Sequence, residues 1–113
     1  MLPKQNRLRT NKDFQKIFKS SKPIYTENLV FRVAKGRDKS RFGFVVSNKI
    51  DKRASRRNAL RRRLRAIVQE TWPQINQGFD VAIMVKQDFP LPYNYGKIKL
   101  QIIEGLKRAN VIK

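Results

Sequence analysis

The side chains able to do chemistry concentrate in one stretch, "NKIDKRASRRNALRRRLRAIVQE", residues 48–70. Lys49, Lys52, Arg53, Arg56, Arg57, Arg61, Arg62, Arg63 and Arg65 stand there against only Asp51 and Glu70. A guanidinium is a planar fork of N–H donors that matches phosphate oxygens and base edges, and it stays charged throughout the biological pH range. The stretch is therefore suited to gripping anions, not to making or breaking bonds. Asn58 sits alone among the arginines. An amide donates and accepts at once, which a guanidinium cannot do. It suits a base edge, a ribose hydroxyl or a hydrated cation; the competing use is a local turn bond near the helix start.

The rest of the chain is poor in catalytic side chains. There is no His and no Cys, so the usual general base near neutral pH and the thiol nucleophile are both missing. The carboxylates are Asp13, Glu27, Asp38, Asp51, Glu70, Asp80, Asp88 and Glu104. No two fall at a spacing that suggests a pair, and they read as caps and turn residues. A two-metal nuclease needs several converging carboxylates. The expectation is a chain with no catalytic and no metal-ligating residue of its own.

Composition agrees. The 113 residues fit one domain, 1–113, and 40% hydrophobic content is enough for a core. Lys+Arg 27 against Asp+Glu 8 leaves a net charge of +19. Such an imbalance strains the compact state and calls for a polyanionic partner. No apolar run approaches the roughly 20 residues that cross a bilayer. The opening "MLPKQNRLRT" lacks the apolar stretch of a secretory signal, so a cytoplasmic protein without a membrane partner is expected.

The elements that must position the basic stretch can be read in order. "TNKDFQKIFK" predicts a short helix, with Thr10 and Asp13 at capping-box spacing and Phe14, Ile17 and Phe18 on one face. "SSKP" ends it. A short strand around Ile24–Tyr25 precedes "NLVFRVAKG", in which Leu29, Phe31 and Val33 alternate with Val30, Arg32 and Ala34. "GRDKS" is a turn, and "RFGFVVSNK" is expected as the antiparallel partner of the preceding strand. Ser55 is the expected N-cap of the basic helix, which runs to about Glu70. Its stripe Leu60, Leu64, Ile67 and Val68 faces a core; Asn58, Arg61, Arg62 and Arg65 face away or flank it. "TWPQINQG" is a loop, and "FDVAIMVK" is a strand covered on both faces. "YNYGKIKLQIIEGLKRA" is a helix with Tyr95, Ile98, Ile102, Leu106 and Ala109 in its stripe, although Gly96 and Gly105 weaken it. The order gives an α+β sandwich.

A solvated face of mixed charge is the usual meaning of a charged helix. Here Glu partners at i+4 are missing, and Arg56 and Arg57 oppose the helix dipole in the first turn. Nucleic-acid binding explains both features.

"RRNALRRRLR" resembles the signature helix of the bacterial ribonuclease P protein component, through Arg57, Asn58, Leu60, Arg61, Arg62 and Arg65. "VVSNKIDKRA" is similar to the strand and basic turn before that helix. "NRLRTNKDFQKIFK" is similar to the family's opening helix, and "FDVAIMVK" to the strand after the signature. Two positions depart from the pattern: Ala59 stands where the family usually has Arg, leaving Arg63 as a nearby charge, and Ser55 stands where an aliphatic residue is frequent.

The resemblance implies an α-β-β-β-α-β-α sandwich with a small mixed sheet and a left-handed β-α-β crossover, a fold also seen in the second domain of a ribosomal protein. It implies the protein subunit of a ribonucleoprotein whose RNA removes the 5′ leader of precursor tRNA with Mg²⁺ held mainly by RNA. The protein itself would bind no cofactor. Lys49, Lys52, Arg53, Arg57, Asn58, Arg61, Arg62 and Arg65 would bind RNA. Phe14, Phe18 and Arg32 would line the cleft for the leader; the two phenylalanines could equally be core residues, and Arg32 could simply face water. The rival function is a ribosomal-type RNA-binding protein with no role in tRNA processing. A helix in a DNA major groove lacks the motif spacing, a membrane-surface helix lacks aromatics, and a stand-alone enzyme lacks the residues.

Overall fold

The computed structural model describes residues 6–8, 11–36 and 38–112, without the side chain of Asn11. Thr10, the expected capping partner of Asp13, lies outside the described residues. Helix α1 (Asn11–Ser20) leads to strands β1 (Pro23–Tyr25), β2 (Leu29–Lys35) and β3 (Arg41–Val45). Helix α2 (Ala54–Thr71) is the basic helix, followed by a 3-10 turn (Trp72–Gln74), strand β4 (Phe79–Val85) and helix α3 (Tyr95–Arg108). No described helix is long and apolar enough to cross a membrane.

The sheet order is β1-β2-β4-β3. This corrects the expected pairing of β2 with β3. β2 pairs antiparallel with β4, and β3 lies parallel to β4 on its other side. The physical reason is the apolarity of β4 on both faces: Val81, Ala82 and Ile83 are all fully buried. A β2–β3 hairpin would push that strand to an edge and expose one flank. Ser40 fixes the alternative. Its buried hydroxyl donates to Asn76 O at 2.7 Å and accepts from Phe79 N at 3.1 Å. The residues after β2 are thereby clipped to the entrance of β4.

The pleat sorts side chains to two faces. Leu29 and Phe31 of β2, Phe42 of β3 and Val81, Ile83 and Val85 of β4 form the main core with α2 and α3. Leu60, Leu64, Ile67 and Val68 are the α2 contribution, as the stripe predicts, each burial contributing about 1.5–3 kcal/mol. The other face carries a smaller cluster, Leu8, Ile17 and Ala82, with Phe14 and Ala34 packed against it. Helix α1 covers only part of this face. It ends where Ser20 Oγ and Ser21 Oγ donate back to Lys16 O and Ile17 O.

Helix α3 forms despite its glycines. Asn94 caps it, the side chain accepting from Lys97 N at 3.1 Å. Gly105 is required by packing, because a Cβ there would lie 2.3 Å from Phe31 Cε1. Tyr95 departs from the expected buried stripe and is 44% exposed. It occupies the first turn, ahead of the helix's contact with the sheet, and its hydroxyl donates to Glu70 at the end of α2 instead.

Phe31 is fully buried and cannot swing aside, so Gly105→Ala is expected to destabilise the protein by about 1–3 kcal/mol. Urea unfolding monitored by circular dichroism would test this; an unchanged midpoint would mean the α3–β2 contact is loose.

Candidate nucleic-acid interface

The turn before α2 is built around one carboxylate and one guanidinium. Asp51 Oδ1 accepts from Arg53 N at 2.9 Å. Arg57 reaches back from the helix and donates to Asp51 O at 3.0 Å and Lys52 O at 2.9 Å. Arg53 occupies the N-cap position with no side-chain cap, so the expected cap at Ser55 is corrected: Ser55 already lies within the helix. Asp51 closes the chain first, and that closure sets where α2 begins. The hydrogen bond from Arg53 N, then its guanidinium, holds the Asp51 carboxyl below the usual aspartate range. The turn therefore keeps this support above the ordinary aspartate pKa and loses it as pH falls through the lowered value. Lys49 and Lys52 stand exposed on the same turn.

Along α2 the remaining cations divide. Asn58 and Arg62 are exposed, and Arg61 donates to Asn58 Oδ1. Asn58 thus makes no helix cap; it belongs to the arginine face. Arg65 lies over the Phe44 ring, 6.0 Å from its centroid, with its Nε buried and unpartnered. Burial, with Arg7 and then Arg61 nearby, lowers its pKa. Among the described residues, no carboxylate lies within ion-pair distance of Arg57, Arg61, Arg62 or Arg65. Arg63 lies one turn beyond Ala59 and donates to its carbonyl, with the guanidinium 4.9 Å from the Tyr93 ring centroid. It supplies charge on the side where Ala59 has none.

Arg7 escaped sequence reasoning. It reaches this cluster because residue 7 forms a parallel bridge with Phe42 and Leu8 N donates to Phe42 O at 2.9 Å. No local pattern announces such a long-range bridge. Tyr93 was missed for the same reason.

The second cluster lies on the α1 face. Phe14 is half-buried and rests on Gly43, where a Cβ would come within 2.4 Å of Phe14 Cζ. Phe18 is 38% exposed, 6.5 Å from Phe14 between ring centroids. Arg32 lies over the Phe18 ring at 5.4 Å and donates to Ser21 O at 3.0 Å. So Phe14 is chiefly a packing residue, Phe18 offers ring surface, and Arg32 is fixed beside it. The two clusters meet at β3, where Gly43 faces Phe14 and Phe44, on the opposite face, lies under Arg65.

The reading of every carboxylate as a cap or turn residue is corrected at three positions. Asp80 takes a two-pronged contact from Arg41, at 3.0 and 2.8 Å, and Asp13 approaches the same guanidinium at 3.6 Å. Glu70 accepts from Lys99 Nζ at 2.5 Å and from Tyr95, which lowers its pKa in that order. These partners are distant in sequence and become neighbours only through the sheet and helix packing. Among the described residues, no three His, Cys, Asp or Glu side chains are grouped to hold a metal.

The basic turn, the arginine face and the aromatic cluster all fall within residues 2–110, which match the family model described as Ribonuclease P. The chain belongs to the ribonuclease P protein family. It is 38% identical to the ribonuclease P protein component of Synechocystis, covering 98% of this chain and 90% of that one. The ribonuclease P protein of Thermotoga maritima superposes with a TM-score of 0.82 at 32% identity, over 90% of this chain and 96% of that structure. That of Staphylococcus aureus superposes with a TM-score of 0.82 at 25% identity, over 96% and 98%. Membership makes the chain a subunit of an endoribonuclease and separates it from the ribosomal-type alternative.

Two arginines of the ribonuclease P signature, Arg57 and Arg62, differ in their partners. Arg57→Ala removes two hydrogen bonds that hold the turn and is expected to lower stability by about 0.5–1.5 kcal/mol. Arg62→Ala, which relieves like-charge repulsion, leaves the melting temperature unchanged or raises it. Differential scanning calorimetry of the two variants would decide; equal losses would mean the Arg57 contacts do not support the turn.

Proposed function

We propose that this protein binds the catalytic RNA of ribonuclease P and the 5′ leader of precursor tRNA, and that the RNA performs the cleavage. The observation that carries this reading is the face formed by Asn58, Arg61, Arg62 and Arg65, where guanidiniums lie together with no carboxylate within ion-pair distance among the described residues. Like charges held this close destabilise the free protein, and phosphates are the complementary charge. Lys49, Lys52 and Arg53 extend the face along the turn, which Arg57 both braces and charges.

Phe18 and Arg32 supply what a single-stranded leader needs, an exposed ring for a base and a cation for its backbone. Phe14 supports the Phe18 ring from beneath. Asn58 adds direction to the arginine face, since its amide can donate to a base edge or ribose hydroxyl that an arginine alone would not select. Mg²⁺ would assist the attack of water on the scissile phosphate; among the described residues Asp13, Asp80, Asp51 and Glu70 are engaged with Arg41, Arg53 and Lys99, and no three acidic side chains are grouped to hold it. Its place in this reading is on the RNA. The working compartment is then the cytoplasm, where precursor tRNA is made.

Precursor tRNA cleavage at low Mg²⁺ by a bacterial catalytic RNA, with and without this protein, tests the reading. Cleavage is expected only with the RNA present and is enhanced by the protein. Cleavage by RNA-free, nuclease-free protein would overturn it.

Binding to the catalytic RNA should weaken steeply with salt, and Arg62→Ala should reduce the log–log slope by roughly 0.7 to 0.9. Asn58→Ala should instead weaken binding by about 1–3 kcal/mol with the slope unchanged. A slope unaffected by Arg62→Ala would remove Arg62 from the phosphate contacts.

A further inference from the structure

We propose that Tyr25 is a second stacking platform for the leader, holding a nucleotide one step beyond the one at Phe18 and Arg32. The inference rests on the leader-cleft reading above and extends it to a residue outside the signature motifs.

The sheet register places Tyr25 on the correct face. Pro23, Arg32, Ala82 and Gly43 form one cross-strand row, and Tyr25, Val30, Met84 and Val45 form the next row on the same face. Helix α1 packs over the first row through Phe14 and Ile17, and ends at Ser20. In the second row, Met84 and Val45 are only half-buried, and Tyr25 is 53% exposed. The rows are two residues apart, about 6.6 Å along the strands, or roughly the reach of one nucleotide in an extended chain.

The surroundings of the ring suit an RNA strand. Lys86 Nζ lies 5.2 Å from the ring centroid, and the Tyr25 carbonyl accepts from Arg108 at 2.6 Å, which anchors this edge strand from α3. With Arg32, these cations mark a track for a phosphate backbone past two aromatic rings. An exposed ring flanked by cations beside an apolar floor is the usual build of a single-strand platform. A second copy of this chain is a poor occupant, because each copy carries +19. The core does not need this ring: Tyr25 lies outside both buried clusters.

The test uses the reconstituted holoenzyme and precursor tRNAs whose leaders lengthen by one nucleotide at a time. Tyr25→Thr removes the ring and leaves a residue of high strand propensity; Tyr25→Phe keeps the ring. Tyr25→Thr is expected to weaken precursor binding about 5- to 150-fold once the leader passes a threshold length. Tyr25→Phe should restore the affinity, and 2-aminopurine at the threshold position should be quenched by the wild type and not by Tyr25→Thr. A loss that is absent, equal at every leader length, or not restored by Phe would overturn the proposal. Phe18→Ala and Arg32→Ala form the control arm. If they weaken binding and Tyr25→Thr does not, only the Tyr25 platform fails; if none of the three matters at any length, the leader-cleft reading fails with it.

Discussion

The arrangement depends on the apolar stripe of α2, Leu60, Leu64, Ile67 and Val68, seated in the main core. The arginines of this helix repel one another, and its first turn places cations against the helix dipole. An isolated peptide of this sequence would have little reason to stay helical in water. Burial of the stripe against β3 and α3 supplies the stability that the charged face lacks. It also fixes the rotation of the helix about its axis, and therefore which guanidiniums look outward. In the proposed reading, recognition of a polyanion is held in place by contacts on the opposite side of the helix.

The same logic explains the unusual sheet. β4 is apolar on both faces, so it takes an interior position between β2 and β3. β3 then becomes an edge strand beside α2, and Arg7 can bridge to it. The consequence is a narrow strand serving two neighbours at once: Gly43 gives the Phe14 ring close approach on one face, and Phe44 carries Arg65 on the other. The basic helix and the aromatic cluster both rest on this one strand.

Carboxylates are scarce here, and among the described residues four of them hold a cation. Asp51 shapes the turn, Asp80 and Asp13 hold Arg41, and Glu70 ties α2 to α3 through Lys99 and Tyr95. Among the described residues, no acid stands beside Arg61, Arg62 or Arg65 on the outer α2 face. Net charge alone conceals this difference between cations held by an acid and cations left to one another.

Local periodicity was enough to place α1, α2, α3 and β4, because each carries an apolar pattern that only one secondary structure can bury. It was also enough to isolate Arg61, Arg62 and Arg65 with Asn58, since spacings of three and four residues put them on one side of a helix opposite its stripe. Pairing was beyond it. The neighbour of β2 is set by competition among strands for the interior position, and a turn such as residues 36–40 looks the same before a hairpin as before a crossover. The start of α2 was misplaced because Asp51, four residues before the expected cap, closes the turn by a bond that spacing does not reveal. Arg7, Tyr25 and Tyr93 gained their places from contacts across 30 or more residues or from the cross-strand register, and only the folded chain brings those partners within reach.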